Sequence, residues 1–160
     1  MGEASKIRDR VKQWINGNVL DVCCRDDKIT PDSIGIDREY FAGVNIVGDC
    51  RNLRWFQKWA FETIFSSHGL EHLDNPQEAL EEWCRVLKPG GNLILYLPET
   101  TLYRTYGMAS NPEHLHEFTI DEAIMMINRA MPAKILFSDT FGPPVYPGEY
   151  SFLIIARRLA

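Results

Sequence analysis

Residues 62–98 most narrow what this chain can fold into, because a strand, a helix and a second strand follow one another there without a break. They read E-T-I-F-S-S-H-G-L-E-H-L-D-N-P-Q-E-A-L-E-E-W-C-R-V-L-K-P-G-G-N-L-I-L-Y-L-P. A short apolar run at 63–65 ends in Ser66 and Ser67. Asn75 is placed to cap a helix, Pro76 suits its first turn, and Glu78 stands three residues past the cap. Ala79, Leu80, Trp83, Val86 and Leu87 share one helical face. Glu78, Glu81, Glu82 and Arg85 face away from it, and Glu81 lies one turn from Arg85, where the two can pair. Gly90 and Gly91 are expected to stop the helix. The unbroken apolar run at 93–97 then suits a strand buried on both faces. A strand, helix and strand of this length form a right-handed parallel crossover.

The rest of the chain continues the alternation. Residues 4–16 read as a helix with Ile7, Val11, Trp14 and Ile15 on one face and Gly17 at its end. Strands are expected at 19–23, 33–37 and 44–47. A short helix is expected within 53–59, carrying Trp55, Phe56 and Trp59 onto the core. Residues 99–118 read as a long polar and aromatic loop. A helix from about Ile120 to Ala130 follows, capped by Thr119 or Asp121. Two closing strands, at 134–138 and 150–157, are expected to pair antiparallel across a Gly/Pro-rich connection. Strands alternating with helices imply an open, mostly parallel sheet in one domain spanning 1–160.

The connections after the first and second strands are too short for a helical crossover, which needs at least about 10–12 residues. One face of the sheet is then left with the helix of residues 4–16, against three helices on the other. A parallel sheet does not normally leave a face wet. A homodimer covering the thin face is therefore expected, the alternative being that this helix and nearby aromatic side chains are cover enough.

Composition narrows the function. A net charge of −5 argues against nucleic acid as the main partner. No apolar run is long enough to span a bilayer. The N-terminus shows no signal-peptide core, and Lys6 stands where a myristoylation pattern needs Ser or Thr. Cys23, Cys24, Cys50 and Cys84 have no metal-ribbon spacing, so reduced thiols in a cytoplasmic protein are expected.

The motifs S-S-H-G-L-E-H at 66–72 and R-V-L-K-P-G-G-N-L at 85–93 resemble class I S-adenosylmethionine-dependent methyltransferases, at their active-site strand end and their last helix-to-strand turn. The resemblance runs from about Asn18 to the C-terminus. It implies an α/β Rossmann-like fold with strand order 3-2-1-4-5-7-6, strand 7 antiparallel and the first two crossover helices shortened or missing. It also implies S-adenosylmethionine as cofactor and methyl transfer to a small-molecule or carbohydrate-like acceptor.

In open parallel sheets ligands bind beyond the C-terminal strand ends, at the switch in strand order. That brings together residues 21–27, Asp37, Asp49 and residues 66–72. Asp37, at the end of the second strand, can accept both hydroxyls of a ribose. Asp49 resembles the acidic residue that meets the adenine amino group in the family, with Cys50 and Arg51 flanking the base. The family's glycine loop is absent. By register Cys23, Arg25 and Asp27 replace the three glycines, and Arg25 could either fill the pocket or meet the carboxylate of the cofactor. The cofactor-binding set on this reading is Asp21, Cys23, Arg25, Asp37, Asp49, Cys50 and Ser67.

His68, Glu71 and His72 match an inverted zinc-protease pattern. Gly69 and the nearby Asp74, Asn75 and Pro76 argue against the regular helix that pattern needs, so no metal is expected. His68 instead reaches toward the acceptor, with Glu71 or His72 either as a base or as loop braces. His114 and His116 alternate in the stretch resembling the family's lid and are expected on one side of it, near the acceptor. Tyr96, Tyr103 and Tyr106 are placed at the same mouth. Catalytic roles are expected for His68, His114 and His116. A second reading, favoured by the missing glycines, is an inactive methyltransferase-like module for binding or assembly.

Overall fold

The computed structural model describes residues 2–107, 109 and 111–160. Met1, Met108 and Ser110, the last two within the expected 99–118 loop, lie outside the described residues. The chain begins with α1 (Glu3–Val11), extended by a 3-10 turn over Lys12–Trp14, and three short strands, β1 (Val19–Val22), β2 (Ile34–Asp37) and β3 (Ile46–Val47). The central unit is β4 (Phe61–Ser67), α2 (Pro76–Val86) and β5 (Leu87–Pro98). It is followed by α3 (Thr100–Thr105), α4 (Ile120–Ala130), β6 (Ala133–Phe141) and β7 (Ser151–Arg158).

The strands form one sheet in the order 3-2-1-4-5-7-6. Pairing is parallel from β3 to β5, and β7 runs antiparallel between β5 and β6. Order and polarity are those the family resemblance implied. All four residues of β1 are buried, because it has β2 and β4 on its edges and apolar cover on both faces.

One face is closed by α2 and α4. Asn75 caps α2 by accepting the Glu78 N–H at 3.3 Å, and Thr119 and Glu122 cap α4 reciprocally. Trp83 is fully buried at the centre of this face, its indole N–H donating to the Cys50 carbonyl at 2.7 Å. The other face is closed by α1. The gaps after β1 and β2 indeed contain no helix among the described residues. Yet Ile7, Val11, Phe65, Ile94 and Ile155 are fully buried within this one chain. Trp14, Phe141 and Tyr146 complete the cover. The physical argument for a second copy on this face is thereby removed.

Four further expectations change. Residues 53–59 form turns, so two helices rather than three cover the α2 face. Trp55 and Trp59 are 52% and 44% exposed, and only Leu53 and Phe56 reach the core. The reason is that side chains of α2 satisfy this backbone: Glu82 accepts the Leu53 N–H, and the Arg85 guanidinium donates to the carbonyls of Leu53 and Phe56. Arg85 accordingly pairs with Glu82 at 2.8 Å, not with Glu81. The α2 helix ends at Val86, before the glycine pair, and β5 starts at Leu87. The residues between Leu87 and Asn92 bulge from the β4 ladder, where Gly90 supplies φ +79. Finally, α3 forms inside the expected loop because the Glu99 carboxylate accepts the N–H groups of Thr101 and Leu102.

Candidate functional site

The carboxyl ends of β1, β2 and β4 lie side by side, and the turns after them meet above the sheet. The first turn lacks glycine but keeps a glycine-like backbone. Cys23 has φ 59 and Arg25 φ 47, left-handed conformations that cost a side-chain-bearing residue of order 1–3 kcal/mol each. Hydrogen bonds hold the turn there: the N–H groups of Cys23 and Cys24 donate to the Ile36 carbonyl at 2.9 and 3.3 Å. The Arg25 N–H donates to an Asp37 carboxylate oxygen at 3.0 Å.

Room for the two cysteines comes from glycines elsewhere. A Cβ at position 69 would stand 2.5 Å from Cβ of Cys23, and one at position 35 would stand 2.6 Å from Sγ of Cys24. The small residues have changed places with the loop. Arg25 is exposed and does not plug the cleft; its guanidinium lies over the Phe41 ring, 5.0 Å from the centroid. Asp27 lines the second cavity and is tied to α1, accepting from the Ser5 N–H and the Arg8 guanidinium, both at 2.8 Å.

Two cavities meet at this turn. The first, of about 670 Å³, is lined by Cys23, Arg25, Asp37, Phe41, Asp49, Cys50, Arg51, His68, His72 and Asp74 among others. Its size is within the roughly 300–1,000 Å³ of small-ligand sites. Asp37 is buried, and its second oxygen accepts the Glu39 N–H at 3.1 Å, which leaves a lone pair on each oxygen for a ribose. Asp49 is held by Arg51 at 2.9 Å, and Arg51 reaches on to Asp74 at 2.7 Å. That guanidinium keeps the Asp49 carboxyl below its usual range. Cys50 is buried beneath, its thiol donating to the Ile36 carbonyl at 3.7 Å, and the neighbouring Cys50 thiol together with burial pushes the Cys23 thiol well above its usual range.

The second cavity, of about 620 Å³, opens toward α1 and the segment before α4. It is lined by Glu3, Lys6, Asp21, Ser67, Tyr103, His114 and Tyr150 among others. Cys23, Arg25, His68, His72 and Glu113 border both cavities. Asp21 is buried, accepts the Ile29 N–H at 2.5 Å, and is pushed up to about 8 by burial. His68 bonds Ser151 Oγ at 3.0 Å through Nε2, and burial holds its imidazole down at about 3, so it is neutral at neutral pH.

The remaining expected site residues separate. His114 turns inward, its Nε2 3.9 Å from Oε1 of Glu71. His116 lines neither cavity: it stacks on Phe118 and bonds the Asp74 carbonyl at 3.2 Å, bracing the segment before α4. The two do not share a side because this segment turns rather than extends, with the His114 N–H donating to the Asn111 carbonyl. Of the tyrosines expected at the mouth, Tyr103 lines the second cavity, Tyr96 is fully buried, and Tyr106 donates to the Pro143 carbonyl. Sequence reasoning missed the contribution of Gly2, Glu3, Ala4 and Lys6, since nothing in the pattern of α1 shows which of its ends approaches the loop.

Sheet order and a cleft at the β1/β4 switch define the class I methyltransferase fold. A family profile described as "Methyltransferase domain" matches residues 17–95, the segment from β1 into β5. A SAM-dependent methyltransferase from Archaeoglobus fulgidus superposes with TM-score 0.76 at 17% identity, covering 98% of this chain and 95% of that one. The sterol 4-C-methyltransferase of Caenorhabditis elegans is 30% identical over 94 residues, 51% of this chain and 28% of that protein. The demethylmenaquinone methyltransferase of Renibacterium salmoninarum is 35% identical over 74 residues, 42% of this chain and 31% of that protein. The chain thus spans about a third or less of the curated relatives it matches. Residues 17–95 thus match a methyltransferase domain, and the fold is that of the class I methyltransferases that use S-adenosylmethionine.

Proposed function

We propose that this chain transfers a methyl group from S-adenosylmethionine to a small-molecule acceptor. The observation that carries the reading is the loop itself, which keeps left-handed backbone at Cys23 and Arg25 and ties Arg25 to buried Asp37, with the adjoining cleft open. Asp37 would accept the ribose hydroxyls, and Asp49 with Cys50 would border the base. Arg25, at the border of both cavities, would meet the carboxylate of the amino-acid half, near Asp21 and Ser67. The bound cofactor supplies an electrophilic methyl group. The protein's part is alignment of the acceptor and exclusion of water. His68 stands between the two cavities, and Tyr103 and Tyr150 offer an aromatic wall for the acceptor.

The small-molecule assignment draws support from the relatives, which are named for sterol and demethylmenaquinone substrates. The net charge of −5 supports an acceptor other than nucleic acid. Four free thiols fit a reducing compartment, which supports a cytoplasmic site of action. Among the described residues no helix is long and apolar enough to cross a membrane.

Calorimetric titration with S-adenosylmethionine tests the reading. One-to-one binding is expected, weakened about tenfold or more by Asp37→Asn, the loss of a charge-assisted hydrogen-bond pair to the ribose. Asparagine keeps one acceptor oxygen for the Arg25 N–H and gives up the Glu39 N–H contact, so the first turn keeps its anchor. Absence of heat at millimolar cofactor would move the assignment to a binding or assembly module.

A further inference from the structure

We infer that Glu71, His72 and His114 form a binding site for a first-row divalent cation, zinc being the best match. Glu71 lies in the 3-10 turn Leu70–His72 just after β4, and its side chain is wholly buried. Among the described residues neither of its carboxylate oxygens has a hydrogen-bond partner. A buried carboxylate without a donor is costly and requires an explanation. Its neighbours are imidazoles: Nδ1 of His68 at 3.6 Å, Nε2 of His72 at 3.8 Å and Nε2 of His114 at 3.9 Å, all measured to Oε1. These separations are too long for hydrogen bonds. Donor atoms of Glu71, His72 and His114 lie within 4.8 Å of one another.

The tautomer of His72 decides what the gap wants. Its Nδ1 lies 2.9 Å from the Glu113 carbonyl, which can only accept, so Nδ1 carries the proton. Nε2 therefore turns a lone pair toward Glu71. A carboxylate and a lone-pair nitrogen facing one gap leave room for a cation between them. A carbonyl that fixes the distal nitrogen is the usual outer support of a metal-bound histidine. The two halves of the site are also locked together, because the Glu71 carbonyl accepts the N–H groups of Leu115 and His116 at 2.9 and 3.1 Å.

The donor set selects the ion. Two imidazoles and one carboxylate suit zinc with a fourth position open, whereas calcium and magnesium prefer all-oxygen shells. Two ligands at about 2.1 Å from one ion stand about 3.4 Å apart at the tetrahedral angle. The two separations from Glu71, 3.8 and 3.9 Å, are about half an ångström wider, and the donors of all three residues lie within 4.8 Å, so side-chain rotations draw the set in around an ion. The third ligand comes from the segment before α4, which is why the pattern at 68–72 did not show the set. His72 borders both cavities and His114 the second one, so the open position lies where an acceptor oxygen could reach it. The site itself does not depend on methyl transfer taking place.

The test uses the full chain, freed of metal by chelation, with zinc chloride alone as the probe in calorimetry. Cobalt(II) serves as a second probe through its visible absorption. One zinc per chain at micromolar or tighter affinity is expected, with a four-coordinate cobalt spectrum lacking thiolate charge-transfer bands. Glu71→Gln and His114→Asn should each weaken zinc at least tenfold, while His116→Asn, outside the set, should leave it unchanged. If Glu71→Gln does not fold, His114→Asn, from a largely exposed segment, carries the comparison. No heat with zinc up to millimolar overturns the inference. So does zinc affinity that both variants leave intact, since the cysteines would then be holding the ion.

Discussion

Asp21→Asn is expected to make the protein more stable than the wild type at pH 8 and no more stable at pH 4. Asp21 is sealed under the first turn at 1% exposure, and burial pushes its carboxyl up to about 8. In the unfolded chain the same group titrates near its ordinary 3.9. Below pH 4 both states hold the proton and the residue contributes its full share of stability. Between about pH 4 and pH 8 the folded protein keeps the proton that the unfolded chain has lost. Stability therefore falls as pH rises through that window. The ceiling is about 1.4 kcal/mol per pH unit, and relaxation around the site reduces the total to a few kcal/mol. Asparagine has no proton to lose and still offers an oxygen to the Ile29 N–H. Urea unfolding of both proteins across pH 4.5–8 should give a difference that grows steadily with pH, reaching on the order of 3 kcal/mol. A difference that stays level would mean that Asp21 ionises freely inside the fold.

The exchange of glycines between loop and neighbour yields the second large effect. Gly69 has a negative φ, −126, so alanine there brings no left-handed backbone penalty. Its new Cβ would instead meet Cβ of Cys23 at 2.5 Å and Sγ at 3.0 Å. Neither atom is the end of a flexible chain, so the turn or β4 must shift. Overpacking of this kind costs roughly 1–3 kcal/mol. Cys23→Gly in the same chain removes the obstruction and also relieves the left-handed strain at position 23. The double variant should thus recover most of the stability that Gly69→Ala loses. Thermal unfolding of the two single variants and the pair gives the coupling directly. Simple additivity would show that the glycine at 69 is unrelated to the cysteine at 23.

The parts of the fold set by local chemistry were legible. The Asn75 and Thr119 caps, the apolar stripe of α2 and the buried run of β5 each announce themselves within a few residues, and strand polarity follows from them. The parts set by distant side chains were not. Residues 53–59 look helical by composition, but Glu82 and Arg85 reach across from α2 and fix them as turns. The cover supplied by Phe141 and Tyr146 comes from the far end of the chain, so the apparently bare face suggested a dimer. At the site, the strand ends predicted to converge do border the cavities. The meeting of Glu71 with His114 was hidden, since it depends on two carbonyl-bound amides that join segments with no shared pattern. The harmless placement of Arg25 depends likewise on Phe41, a loop aromatic with no motif around it.

The partition formed by Cys23, Arg25, His68, His72 and Glu113 has a kinetic consequence. Exposed Arg38 and Glu39 stand at the rim of one chamber, and exposed Lys6 and Asn111 at the rim of the other. On the proposed function, the acceptor would have a mouth of its own even with the nucleoside already seated, so either ligand would be free to arrive first.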